Sequence, residues 1–216
     1  MITDERTATY IDSLCGGNSP ILEEIEKEAI EAGVPIIRKA TQTIIRYQLE
    51  VSKPETILEI GAAVGFSAIF MAEYGPENLH ITTIENYEKR ILVARENIKR
   101  AGYEDKIKLI EADALETLKE LDEQNNRYDM IFVDAAKGQY INYLPYVKKM
   151  LRSGGILISD NILFDGDIVQ SHFAVRRRDR TIHARMREYL RTLCEDADFV
   201  TTVLPVADGM TLSVKR

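Results

Sequence analysis

The stretch Glu55-Thr56-Ile57-Leu58-Glu59-Ile60-Gly61-Ala62-Ala63-Val64-Gly65-Phe66-Ser67 changes character twice within thirteen residues. Residues 55–60 form a short, β-branched-rich run, which predicts a strand. Gly61 to Gly65 are small residues, which predict a tight turn that another group can approach closely. From Phe66-Ser67 to residue 74 the apolar spacing becomes helical. Strand, glycine turn and helix in that order are the opening unit of a ligand-binding α/β sheet.

The same alternation continues outward. Short apolar runs at 81–85, 107–111, 130–133 and 156–159 predict strands, and residues 67–74, 87–101, 114–124 and 140–151 predict the helices between them. Nearly continuous apolar strands that alternate with helices indicate a parallel sheet covered on both faces. The last 18 residues read as two strands, 199–205 and 210–214, joined by Ala207-Asp208-Gly209. That turn predicts an antiparallel hairpin at the sheet edge. Residues 1–52 read as a helical cap. Pro20 suits a first helical turn and Gly33 a C-terminal cap, and a second helix runs over about 38–51. The fold class is therefore α/β, a doubly wound, Rossmann-like sheet behind N-terminal helices, in one domain over 1–216.

Bulk properties agree. The chain has 216 residues, 45% hydrophobic and 29% charged, an ordinary globular balance. No apolar run approaches the ~20 residues that span a bilayer, so no membrane partner is expected. Met1 to Ser13 lacks the pattern of a signal peptide. Cys15 and Cys194 fit no zinc or redox spacing and read as reduced thiols of a cytoplasmic protein. The net charge of −7 argues against general affinity for nucleic acid.

In an open α/β sheet, ligands bind beyond the carboxyl ends of the strands. At the first such end Glu59, Gly61 and Ser67 are candidate cofactor contacts. Glu85 ends the second strand, where a carboxylate can accept both ribose hydroxyls. Asp113, with Ala114 after it, follows the third strand and could accept a hydrogen bond from an adenine amine. These features fit an adenosine-containing cofactor. The G-x-x-x-G spacing and the roughly 50 helical residues before the first strand favour S-adenosyl-L-methionine over a nicotinamide dinucleotide. The fourth strand ends in Asp134 with Lys137 three residues on, and the fifth in Asp160-Asn161. Two carboxylates and an amide oxygen at neighbouring strand ends are hard ligands that suit Mg²⁺. Beside a metal and a second cation, Lys137 is expected to serve as a general base.

These residues carry a family resemblance. From about 34 to 161 the chain resembles the metal-dependent O-methyltransferases, the group of catechol and caffeoyl-CoA methyltransferases. The resemblance implies Asp134, Asp160 and Asn161 as metal ligands and Lys137 as base. It places Ile37, Ser67, Glu85, Asp113 and Ala114 around the cofactor, with Asp134 near it. It also implies a seven-stranded sheet and a homodimer. One departure is that the chain has no Trp, whereas the catechol enzymes surround their substrate with bulky apolar groups.

Residues 174–191 hold seven arginines against Asp179 and Glu188, a local charge of +5. Arginine suits bidentate phosphate recognition, and the segment follows the Asp160-Asn161 loop, so it can flank the site. The stretch Arg176-Arg177-Arg178-Asp179-Arg180-Thr181-Ile182-His183 is similar to the bacterial tRNA 5-hydroxyuridine methyltransferases of the same group. That similarity implies a tRNA anticodon loop as partner, with Arg176, Arg177, Arg178 and Arg180 on its phosphates. The alternative is a small catechol or phenol, with the arginines serving an anionic substrate or a subunit interface.

Overall fold

A computed structural model describes residues 5–216; residues 1–4 of the expected helical cap lie outside it. The cap comprises α1 (Glu5–Leu14), α2 (Pro20–Glu31) and α3 (Lys39–Ser52). Pro20 occupies the first turn of α2. Just past its end, Gly33 takes φ 66°, and the Val34 amide returns to the Ala29 carbonyl at 2.8 Å. This closes the helix as expected of a C-terminal glycine.

The alternating unit follows: β1 (Thr56–Ile60), α4 (Phe66–Tyr74), β2 (His80–Glu85), α5 (Glu88–Arg100), β3 (Ile107–Glu111), α6 (Ala114–Glu123), β4 (Tyr128–Val133), α7 (Tyr140–Met150) and β5 (Leu151–Asp160). The chain ends in α8 (Arg180–Glu195), β6 (Phe199–Leu204) and β7 (Met210–Lys215). The seven strands lie in the order β3-β2-β1-β4-β5-β7-β6. The first five pair in parallel, while β7 runs antiparallel to both β5 and β6. The expected edge hairpin is present, with β6 outermost.

Alternate residues of each strand feed opposite layers. Ile57, Met130, Phe132, Ile156 and Ile158 pack with Leu22, Ile25, Ile45 and the apolar face of α4. Leu58, Ile60, Ile131, Val133 and Leu157 pack with Leu118, Leu144, Met186 and Leu193 from α6, α7 and α8. Both faces are thereby dry, as parallel sheets require.

Two strand starts differ from expectation. β4 begins at Tyr128 and β5 at Leu151, earlier than the apolar runs suggest, and Tyr128 pairs with Leu151 across an irregularity before Met130 meets Ile156. Gly154, at φ 77°, and Gly155 interrupt the apolar pattern there and read as a turn in sequence. Helix α8 buries His183, Met186, Tyr189 and Leu193 on one face, a stripe that its many arginines conceal.

The strand order reverses between β1 and β4, and the backbone is tightest at that point. Gly61 takes φ 103°, and a Cβ there would overlap the Asp134 carbonyl. Strain at such positions costs about 1–3 kcal/mol. Gly61→Ala is expected to lower the unfolding free energy in urea by at least that much. A loss under ~0.5 kcal/mol, the range of ordinary surface substitutions, would show that the close approach of β1 to Asp134 is not a fixed feature of the fold.

Candidate functional site

A cleft of about 870 Å³ opens over the carboxyl ends of β1 to β5. Its β1–β3 half holds most of the expected cofactor residues. Ile37, Gly61, Ser67, Glu85, Asp113 and Ala114 all line it. Gly65, at φ 81°, starts α4, whose first turn presents Ser67 to the cleft. Glu85 is a buried hub. Its Oε2 accepts the Ala63 amide at 2.8 Å, and Oε1 accepts the Asn86 and Tyr87 amides, both at 2.9 Å. These bonds fix the carboxylate, and its remaining lone pairs can accept hydroxyls. Asp113 does local work too, since its Oδ1 caps α6 by accepting from Leu115 N and Glu116 N.

Glu59 is placed differently. It is fully buried and does not line the cleft. Thr83 Oγ1 donates to its Oε2, while no hydrogen bond to Oε1 within ordinary geometry is formed among the described residues. It lies beneath the residues that line the cleft, where the sequence reading expected a direct cofactor contact. Burial pushes its carboxyl up to about 7, against the pull of the Ser67 and Thr83 hydroxyls.

The β4–β5 half holds the second group. Val133 pairs with Ser159, so the next residues, Asp134 and Asp160, leave their strands side by side. Tyr140, from the start of α7, ties the two ends together. Its Oη lies 3.2 Å from the Val133 carbonyl, 3.0 Å from the Asp160 carbonyl and 3.3 Å from the Ala135 amide. Asp160 Oδ1 accepts its neighbour's amide, Asn161 N, at 2.7 Å, and Oδ2 accepts Thr41 Oγ1 at 3.3 Å. Asn161 adopts φ 56°, a conformation asparagine tolerates better than most residues. Asp134, Asp160, Asn161 and Lys137 all line the cleft.

Burial, then the charges of Asp160 and Glu59, raises Asp134 to about 7. Burial likewise raises Asp160 to about 6, against the Asn161 amide and the Thr41 hydroxyl. Two carboxylates at adjacent strand ends, with the charge of Asp160 opposing the ionisation of Asp134, form a site suited to a cation. Among the described residues no three His, Cys, Asp or Glu side chains cluster as a metal group. Asn161 lines the same cleft and carries an amide oxygen, and two carboxylates plus an amide would leave positions for water or substrate oxygens. This hard, incomplete donor set fits Mg²⁺.

The environment of Lys137 departs from expectation. A carboxylate, not a second cation, is its close partner: Nζ donates to Asp208 Oδ2 at 3.0 Å. The ammonium also lies 5.1 Å from the Phe164 ring centre. Asp208 comes from the β6–β7 turn, which reads in sequence only as a hairpin. Tyr140 and Thr41 were equally invisible, because their roles depend on contacts distant in the chain.

The arginine segment divides. Arg180 donates to the Phe173 and Val175 carbonyls, Arg187 to those of Ile168 and Gln170, and Arg185 to that of Gly138. These three hold the loop before α8 and the turn at 137–139, and Arg180 is half-buried. Arg176, Arg177 and Arg178 are exposed, and Arg178 makes only a long contact of 3.5 Å with Asp179.

A doubly wound sheet with a cofactor cleft on one side of its switch point and an acidic pair on the other defines a Rossmann-like group-transfer enzyme. The chain belongs to the O-methyltransferase family, whose model matches residues 12–216. It is 30% identical to a catechol O-methyltransferase from Niastella koreensis over 166 residues, which cover 76% of this chain and 75% of that one. A crystal structure from Staphylococcus aureus, provisionally named a caffeoyl-CoA O-methyltransferase, superposes with a TM-score of 0.89 at 30% identity, covering 99% of this chain and 100% of that one. The Podospora anserina methyltransferase bound to SAH superposes at 0.84 with 28% identity, covering 99% and 97%.

Glu59 offers a test by pH. Its folded value lies above the ordinary 4.5, so the folded chain retains a proton that the unfolded chain releases. Its contribution to stability therefore falls as pH rises from about 4.5 and levels off above about 7. Glu59→Gln removes this dependence. Its stability relative to the parent, the unfolding free energy of the variant minus that of the parent, is expected to be larger at pH 8 than at pH 5. The same difference at both pH values would contradict the buried acid.

Proposed function

We propose that this chain is an S-adenosyl-L-methionine-dependent O-methyltransferase whose acceptor offers two neighbouring oxygens to a divalent cation. The observation that carries this reading is the placement of Asp134 and Asp160 at adjacent strand ends, beside a cleft with Glu85 and Ser67 on its other side. When bound, adenosylmethionine supplies the methyl group. A divalent cation held by Asp134, Asp160 and Asn161 would acidify an acceptor hydroxyl. Glu85 accepts the ribose hydroxyls, Asp113 and Ala114 border the adenine, and Ile37 closes the apolar side. Lys137 Nζ, as the neutral amine, takes the hydroxyl proton as the O–C bond forms and the S–C bond breaks, and the Asp208 carboxylate stabilises the ammonium that results.

For the acceptor we propose 5-hydroxyuridine at the wobble position of tRNA, which gives 5-methoxyuridine. Its C5 oxygen adjoins the C4 carbonyl, a vicinal pair like that of a catechol. Support comes from the exposed Arg176 and Arg177, from Phe173 at 83% exposure, and from the bond between Arg185 and Gly138 that seats α8 on the cleft-lining turn. Exposed cations a few residues along the chain from an exposed aromatic ring suit a single-stranded nucleic acid. A small catechol is the second reading, favoured by the name of the Niastella koreensis relative. No helix among the described residues is long and apolar enough to cross a membrane. The apolar side chains exposed on α1 and α3, Tyr10, Leu14 and Tyr47 among them, support the homodimer. The thiols of Cys15 and Cys194 support a cytoplasmic setting.

Methyl transfer from labelled cofactor to tRNA bearing 5-hydroxyuridine, measured beside transfer to catechol, tests the substrate. Asp134→Ala and Asp160→Ala are each expected to abolish transfer to either acceptor. EDTA should do the same, with Mg²⁺ restoring the rate, and full turnover in EDTA would overturn the metal role.

The arginines discriminate between the two acceptors. Changing both Arg176 and Arg177 to Ala is expected to raise KM for tRNA and leave cofactor affinity and catechol turnover unchanged. The salt dependence of tRNA binding should flatten by roughly one unit of slope per lost contact. Unchanged tRNA kinetics at ~0.15 M salt, where exposed charges are only partly screened, would leave the catechol reading in possession.

A further inference from the structure

The β6–β7 turn reaches across the sheet into the acceptor half of the cleft and makes contact there in two directions. The Asp208 carboxylate, 5% exposed, accepts Lys137 Nζ at 3.0 Å. The Asp208 carbonyl accepts the Leu163 amide at 3.0 Å, and the Gly209 carbonyl accepts the Ile162 amide at 3.0 Å. Gly209 takes φ 81°, and a Cβ there would overlap the Leu163 side chain. The turn is thus clamped onto the segment that begins at Asn161, while its one carboxylate holds the lysine that follows β4.

We propose that Asp208 is a positioning residue that fixes Lys137 Nζ beside the acceptor and couples it to the Asn161 loop. The proposal rests on the reading of Lys137 as the proton-accepting group. A lysine side chain has four rotatable bonds, and an exposed one samples many positions. A carboxylate on a clamped turn removes that freedom before substrate arrives, and preorganisation of this kind acts on the rate more than on binding. Phe164, 5.1 Å away, packs beside the ammonium. The C-terminal hairpin therefore does more than complete the sheet edge: it sets the geometry of the reacting end.

A double-mutant cycle tests this. Asp208→Asn is expected to lower kcat by about tenfold or more, the scale of one charge-assisted bond. KM for acceptor and cofactor should stay within about twofold. In a Lys137→Met background the same change should have no further effect, and Asp208→Glu should restore part of the loss. An unchanged kcat, or an equal loss with and without Lys137, would overturn the proposal. A second readout needs neither turnover nor a stable variant at 208. In the ¹⁵N-lysine spectrum of the parent protein, the Lys137 signal, identified by its loss in Lys137→Met, should show slow proton exchange. A Lys137 signal that exchanges as fast as those of solvated lysines would also overturn it. If the parent methylates neither catechol nor hydroxylated tRNA, the functional reading falls, and the spectrum still decides whether Asp208 holds the lysine.

Discussion

Strands β4 and β5 run side by side in parallel, and their register delivers two carboxylates to the same end of the sheet. Asp134 and Asp160 are each driven toward the neutral acid by burial. Nearby charges act on both, and Asp160 adds to the rise at Asp134. Such an arrangement is expensive in a folded protein unless a cation relieves it. The surrounding structure holds it in place nonetheless. The Tyr140 hydroxyl bridges the carbonyl ends of both strands, and Gly61 allows β1 to approach the Asp134 carbonyl where any side chain would collide. Thr41 reaches Asp160 from the N-terminal helices. The cap is therefore part of the site, since a residue of α3 orients a group at the end of β5.

The switch in strand order divides the cleft by task. Over β1 to β3 the chain offers fixed acceptors and close backbone, features that suit an adenosine. Over β4, β5 and the hairpin it offers charge: two acids, an amide oxygen and a lysine held by Asp208. Glu59 lies beneath the cleft, and its charge also acts on Asp134, so the packing under β1 bears on the electrostatics above β4. The arginines of α8 contribute mainly as donors to the carbonyls of the preceding loop and of the turn at 137–139, which fixes the outer wall of the cleft.

Strand and helix alternation was legible in sequence because both sheet faces are buried. Continuous apolar runs between helical periods admit few other folds, and the hairpin announced itself through Asp208-Gly209. Boundaries were lost where glycine interrupts β5 and where arginines mask the buried stripe of α8. The cleft residues could be named because ligand sites of this architecture follow strand ends, which places Glu85, Asp113, Asp134 and Asp160 without coordinates. Glu59 occupies the same motif, yet it points below the cleft, and strand alternation in one sequence does not say which face a ligand meets. Tyr140, Thr41 and Asp208 act across 20, 119 and 71 residues of chain, and nothing local marks them. The four arginines looked alike as a run of charge; only the carbonyls around Arg180 separate it from its exposed neighbours.

The central claim is that the acidic pair at the ends of β4 and β5 exists to hold one divalent cation. Mn²⁺ binding followed by electron paramagnetic resonance tests it without reference to any acceptor. The account predicts one Mn²⁺ bound per chain, displaced by excess Mg²⁺, and lost in Asp160→Ala while the folded spectrum persists. Binding of equal strength and stoichiometry in Asp160→Ala, or no binding to the parent protein, would contradict it.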